Sequence, residues 1–121
     1  SSKVPAGFPS PADDHMESKL DLNTHLVKHP TATFFVKASG DSMLGAGIHD
    51  GDILVVDRSL EPRKGKVVIA AVDGQLTVKR LQKKGSKTFL VPENKKFRSI
   101  ELNENNDVKI WGVVTNVIHK V

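Results

Sequence analysis

From Ala32 onward the chain is written in short apolar runs separated by turn residues. The runs 33–38, 53–57, 66–72, 75–81, 88–91 and 108–118 favour Val, Ile, Phe and Thr, side chains that suit a pleated, half-buried surface, and they predict strands. Between them stand Ser39-Gly40, Asp50-Gly51, Lys64-Gly65, Asp73-Gly74, Lys84-Gly85 and Asn105-Asn106-Asp107. These residues tolerate the backbone angles of tight turns. Gly112, inside the last run, predicts a bulge or bend. The stretch before Ala32 has a different texture. Residues 1–11 hold three Pro and one Gly, so they lack donors and fixed helical geometry and read as an extended arm. Residues 12–30 are polar and mixed. A short helix is expected there, capped by Asp21, running through Leu22, Leu26 and Val27 and stopped by Pro30. The predicted class is therefore mainly β, with a flexible arm over 1–30 and one compact β-rich domain over 31–121.

One hairpin is specified in register. Val67–Val72 faces Gln75–Lys79 across the two-residue Asp73-Gly74 loop. Asp-Gly accepts the positive φ angles of a type I′ turn, whose twist matches that of the strands. The loop length then pairs 72 with 75, 70 with 77 and 68 with 79. Lys79 is thereby expected on the face that carries Val68, Ala70 and Val72, where an ammonium is poorly solvated and its charged form disfavoured.

Composition narrows the classes. The 121 residues are enough for one domain, and no apolar run approaches the ~20 residues of a membrane-spanning helix. No basic leader followed by an apolar core opens the chain, which begins Ser1-Ser2 without an initiator Met and is expected to be a shortened or processed product. With no Cys there is no disulfide, thiolate zinc site or Cys nucleophile. The net charge is +4, concentrated after residue 30. Residues 79–98 carry Lys79, Arg80, Lys83, Lys84, Lys87, Lys95, Lys96 and Arg98 against Glu93 alone. That stretch is either a surface for nucleic acid or a solvated loop. Tyr is absent and aromatics are 5%, so stacking platforms for bases are hard to assemble.

A neutral lysine can take the proton of a serine hydroxyl and make its oxygen a nucleophile. Ser42, in Ser39-Gly40-Asp41-Ser42-Met43, follows a predicted strand in a turn rich in backbone amides, where an oxyanion can be held. Rival chemistry comes from the histidines. His25 and His29 have the i, i+4 spacing of a metal pair, but Pro30 ends that helix. His49 with Asp50 or Asp52 could complete a triad, yet Asp50-Gly51-Asp52 reads better as a turn whose carboxylates bond local amides, and Asp57 reads similarly.

Several segments, taken in order, resemble the UmuD/MucA family. They are Ala6-Gly7-Phe8-Pro9-Ser10-Pro11-Ala12, Phe35-Val36-Lys37-Ala38-Ser39-Gly40-Asp41-Ser42-Met43, Asp50-Gly51-Asp52, Val68–Val72, Thr77-Val78-Lys79 and Trp111-Gly112-Val113-Val114. Members of that family are self-cleaving accessory subunits of error-prone DNA polymerases in the bacterial DNA-damage (SOS) response, and the C-terminal domain of LexA repressors shares the peptidase pattern. The resemblance implies a LexA/UmuD-type peptidase domain in which Ser42 is the nucleophile and Lys79 the general base. The two lie 37 residues apart, as in UmuD proteins. It further implies that the backbone amides of Asp41 and Ser42 stabilise the oxyanion, that Met43 supports the site by packing, and that the scissile bond is Ala6–Gly7. Six residues precede Gly7 here, fewer than full-length members carry. The implied partners are a second copy in a homodimer, a UmuC-type Y-family polymerase subunit, and a RecA–single-stranded DNA filament that stimulates cleavage. The implied location is the bacterial cytoplasm, without a membrane, cofactor or metal. The alternatives are a non-enzymatic β-rich module binding nucleic acid or protein, with residues 79–98 in contact with DNA, and a repressor C-terminal domain like that of LexA.

Overall fold

The computed structural model describes residues 3–7, 9 and 19–121. The helix expected after Asp21 is present as α1, Leu22–Leu26, and the Asp21 carboxylate accepts hydrogen bonds from the Asn23 and Thr24 amides. It ends at Val27, short of Pro30, which instead opens a single 3₁₀ turn, Pro30–Ala32. Seven strands follow: β1 (Thr33–Lys37), β2 (Ile53–Asp57), β3 (Val67–Val72), β4 (Gln75–Lys84), β5 (Lys87–Val91), β6 (Ile100–Glu101) and β7 (Val108–Ile118). They form one antiparallel sheet in the order β1-β2-β7-β3-β4-β5-β6.

The hairpin forms in the expected register, with Val72 opposite Gln75, Ala70 opposite Thr77 and Val68 opposite Lys79. Its turn has φ of 49° at Asp73 and 83° at Gly74, the positive pair that a type I′ turn requires. β4 runs three residues past the expected end at Leu81, because Gln82, Lys83 and Lys84 pair with β5. The two-residue β6 was not predicted; Ile100 and Glu101 are held by Leu90 and Phe89 across the sheet. The irregularity expected at Gly112 occurs beside it. Ile69 faces Gly112 but Ala70 faces Ile110, so Trp111 is the extra residue of a bulge. A second bulge lies where Val55 faces Asn116 and Val56 faces Val114.

β3 reads as an unbroken apolar run because both its faces are covered. Val68 and Ala70 join Leu81, Leu90 and Val113 in one cluster, whereas Ile69 joins Ala38, Met43, Ile48, Leu54 and Val56 in another. Among the described residues, no helix is long and apolar enough to cross a membrane.

Candidate active site

Three sequence-distant segments build the site. The first is the excursion from β1 to β2, residues 38–52. Its base is closed by backbone bonds from Ala38 N–H to Asp52 C=O and from Gly51 N–H to Ala38 C=O. Asp50 Oδ1 accepts the Gly40 amide at 2.7 Å, and Gly40 takes φ of 84°, an angle that a side chain would strain. The turn expected of Asp50-Gly51-Asp52 is therefore real. Asp52 bonds the local His49 amide at 2.7 Å, while Asp50 reaches ten residues back to the turn that carries Ser42. Met43 is 1% exposed within the Ala38–Leu54 cluster, which anchors the backbone beside Ser42.

The second segment is the Gln75–Lys79 half of β4. β5 pairs with β4 only from Arg80 onward, so among the described residues this half is paired on one side, by β3. Lys79 is buried, and its Nζ lies 3.2 Å from Ser42 Oγ, 2.5 Å from Thr77 Oγ1 and 3.2 Å from the Val78 carbonyl oxygen. Among the described residues no carboxylate pairs with this amine. Desolvation therefore acts on it without an opposing charge and holds its pKa below the ordinary lysine value.

The third segment is the turn after β5. Glu93 N–H donates to the Ser42 carbonyl at 2.8 Å, and the Asn94 side-chain amide donates to the Asp41 carbonyl at 2.9 Å. Gly45 N–H donates in turn to Glu93 C=O at 2.8 Å, and a Cβ on Gly45 would sit 2.8 Å from that same oxygen. Only glycine permits this approach. Among the described residues, the N–H groups of Asp41, Ser42 and Met43 donate to no protein acceptor.

Together the segments enclose a cleft of about 350 Å³ containing Ser42 and Lys79. Val36, Leu54 and Ile69 line it, and the exposed side chains of Leu76 and Phe97 stand at its edge. The fold thus brings Ser42 and Lys79, both singled out in the sequence, to one cleft with Asp41 beside them. Thr77, Asn94 and the Glu93 amide also contact these residues, and no role for them was legible in the sequence. Ala6 and Gly7 lie in an exposed bend, and neither lines the cleft.

The histidines do not assemble at this site. His29 Nδ1 pairs with Asp57 at 2.5 Å, and Asp57 also accepts the Ser59 amide and hydroxyl. Burial pushes the Asp57 carboxyl up, but the Ser59 and His29 hydrogen bonds outweigh it and the pKa lies below the ordinary value. His25 joins no cluster of potential ligands among the described residues. His49, Asp52 and His119 do converge, with donor atoms within 4.8 Å. However, His119 Nδ1 is 2.6 Å from Asp52 Oδ1, a hydrogen-bond distance. Two ligands on a tetrahedral ion with bonds of about 2.0–2.1 Å stand farther apart than that. The His49 amide and the His119 ring instead hold Asp52 ionised, with its pKa lowered.

The basic stretch is also redistributed. Lys79 is buried and Arg80 pairs with Glu93 at 2.6 Å, which leaves Lys83, Lys84, Lys87, Lys95, Lys96 and Arg98 on the surface.

Residues 1–115 match the family described as Peptidase S24-like. The chain belongs to this family. It is 49% identical to Protein SamA of Salmonella typhimurium over 118 residues, covering 98% of this chain and 81% of that protein. It is also 49% identical to Protein ImpA of Escherichia coli over 116 residues, 95% of this chain and 78% of the relative. Identity to Protein MucA of Escherichia coli is 45% over 115 residues, 94% of this chain and 78% of the relative. Membership in the family supports serine peptidase activity in general. The mainly β sheet and its short helices agree with the LexA/UmuD-type domain that the sequence implied.

Proposed function

We propose that this chain is a self-cleaving serine endopeptidase with a Ser42–Lys79 dyad, and that it serves as an accessory subunit of an error-prone polymerase in the SOS response. The observation that carries the reading is the 3.2 Å contact between Ser42 Oγ and Lys79 Nζ inside an apolar-walled cleft. A neutral amine has two N–H groups and one lone pair. The Val78 carbonyl can only accept, so it takes one N–H, and Thr77 Oγ1 takes the other. The lone pair is left for the Ser42 hydroxyl proton.

Ser42 Oγ then attacks the Ala6 carbonyl carbon as Lys79 accepts that proton. The negative charge that develops on the carbonyl oxygen is met by the amides of Asp41 and Ser42, which have no protein acceptor of their own among the described residues. Lys79 returns its proton to the Gly7 nitrogen as the Ala6–Gly7 bond breaks, leaving an acyl ester of Ala6 on Ser42. Water, deprotonated by Lys79, adds to that ester and releases residues 1–6 while Ser42 regains its proton. The side of β4 at Gln75–Lys79 that pairs with no other strand among the described residues suits an extended arm, which would bond there as an added strand. With Ala6 and Gly7 outside the cleft, a RecA–single-stranded DNA filament would act by favouring the docked arm.

The arm over 1–30 and the peptidase domain over 31–121 are the corresponding division. A homodimer is the assembly that the family resemblance implies. The UmuC-type Y-family polymerase partner and the bacterial cytoplasm come from the resemblance to the UmuD/MucA family, which this reading prefers to the repressor alternative.

The test is the mass of fragments formed at alkaline pH and with activated RecA filaments. Wild type is expected to yield residues 7–121, while Ser42→Ala and Lys79→Ala remain intact and folded. Cutting at Ala6–Gly7 by either variant would overturn the dyad. An intact wild type together with salt-sensitive DNA binding, lost on neutralising Lys83, Lys84 and Lys87, would favour the binding-module reading.

A further inference from the structure

We infer that Asn94 is a positioning residue for the oxyanion site, acting through the Asp41–Ser42 peptide plane. The inference rests on the Ser42–Lys79 reading and adds to it a residue that does not touch the reacting atoms. In a trans peptide the C=O and the N–H point in opposite directions from one rigid plane. The carbonyl of Asp41 and the N–H of Ser42 belong to the same plane. Asn94 Nδ2 holds that carbonyl at 2.9 Å, so it fixes the direction of the Ser42 N–H on the far side. The neighbouring plane is held in the same way. Glu93 N–H grips the Ser42 carbonyl at 2.8 Å, which sets the direction of the Met43 N–H. Two consecutive planes around the nucleophile are thus clamped from one turn.

The clamp is itself braced. The Asn94 side-chain oxygen accepts the Lys96 amide at 3.0 Å, which leaves the NH₂ group to face Asp41. Phe97 N–H donates to the Asn94 carbonyl, Gly45 N–H to the Glu93 carbonyl, and Arg80 pairs with the Glu93 carboxylate while bonding the Gly65 carbonyl at 2.6 Å. Donation to a peptide carbonyl also polarises the unit and makes its N–H a stronger donor. The Ser42 N–H is therefore both aimed and strengthened before substrate arrives.

Asn94→Asp separates the two roles of this side chain. It keeps an acceptor for the Lys96 amide but replaces the donor to Asp41 with an oxygen. Asn94→Ala removes both bonds. The self-cleavage rate of the full chain is measured against pH for wild type and both variants, with Ser42→Ala as the blank, and each protein's thermal midpoint is recorded. Loss of an oxyanion donor slows peptidases about 10²–10³-fold, and misaiming one is expected to slow the plateau rate roughly ten- to a hundredfold. Both variants should show this loss. The pH midpoint of the profile, which belongs to Lys79, should stay where it is in the uncharged Asn94→Ala, and the Ser42 amide proton should shift in the NMR spectrum of Asn94→Asp. A plateau in Asn94→Asp equal to wild type would overturn the inference, since the turn alone would then be what matters. A displaced midpoint in Asn94→Ala would overturn it too, by assigning the effect to the amine. Either result leaves the dyad standing, whereas a wild type no faster than the Ser42→Ala blank removes the peptidase reading and this inference together.

Discussion

Lys79→Met tests whether the buried amine is held in its neutral form. Methionine has similar length and no charge, and the comparison is made in a Ser42→Ala background so that neither protein is cut. Lys79 in the folded chain releases its proton at a lower pH than in the unfolded chain, because burial penalises the ammonium. Between the two midpoints the unfolded state binds more protons, so stability rises with pH. Below the folded midpoint the parent carries the whole penalty, and above the unfolded midpoint, about 10.4, it carries none. The methionine variant carries no such penalty at any pH. Its advantage over the parent is therefore greatest at low pH and disappears as pH climbs toward the unfolded lysine value.

The size follows from the same linkage. The penalty is at most about 1.4 kcal/mol for each pH unit separating the two midpoints, reduced by whatever solvent in the cleft screens. Methionine also loses the bonds to Thr77 and Val78, which costs about 1–3 kcal/mol if the partners stay unpaired. That loss does not depend on pH, so the slope of the difference is diagnostic and its sign at any one pH is not. The assay is urea unfolding from pH 7 to 11, followed by the fluorescence of Trp111. The chain has one Trp and no Tyr, so no phenol titrates under the signal, and the remaining lysines cancel between the two proteins. Curves that stay parallel across the range would mean that Lys79 titrates alike folded and unfolded, and the argument for a neutral base would fail.

Two further substitutions probe the scaffold. Asp52→Asn should lower the urea midpoint at pH 7, because a carboxylate that accepts from the His49 amide and the His119 ring is lost. The lowered pKa of Asp52 adds stability above the unfolded carboxyl value of about 3.9 that is lost as pH falls through the folded one, so the gap between the proteins should close on acidification; a constant gap would contradict this. Gly112→Ala should destabilise by about 1–3 kcal/mol, since the added Cβ would lie 2.7 Å from Val56 Cγ1 and 3.2 Å from the Asp57 carbonyl oxygen. An unchanged midpoint would mean that the bulge relaxes freely.

What could be read from the sequence was local. The Asp73-Gly74 loop fixes its own register, so the placement of Lys79 opposite Val68 needed nothing beyond ten neighbouring residues. Asp21 caps the helix that begins beside it. The parts that were not legible depend on contacts across the sheet. β6 has only two residues and no pattern of its own; it is a strand because Phe89 and Leu90 pair with it. Asn94 stands in a polar run, Glu93-Asn94-Lys95-Lys96, whose composition indicates a turn and nothing about Asp41, 53 residues away. The distance from Ser42 to Lys79 is of the same kind. The register of Lys79 followed from the hairpin, but the cleft walls around its amine, Val36, Leu54 and Ile69, come from other strands and its neighbour Ser42 from the fold of residues 38–52, where Asp50 reaches Gly40. The basic surface is smaller than the run of charges between 79 and 98 implies, because Lys79 is buried and Arg80 is paired.

The preformed state of the cleft bears on how cleavage would be controlled. Ser42 and Lys79 are in contact and the turn that carries Ser42 is clamped while Ala6 and Gly7 lie outside, so this contact does not wait for the arm in order to form. On the proposed function, the regulated step is then docking. An arm laid along the free side of β4 would cover the amine and expel water from the cleft, which disfavours the ammonium further. Docking and deprotonation therefore favour each other, and by linkage each must promote the other to the same degree. High pH and a filament that binds the docked form would then be two routes to one state. In that case a saturating filament should move the pH midpoint of cleavage downward, whereas a filament that only raised the plateau would mean that docking and deprotonation of Lys79 are not coupled.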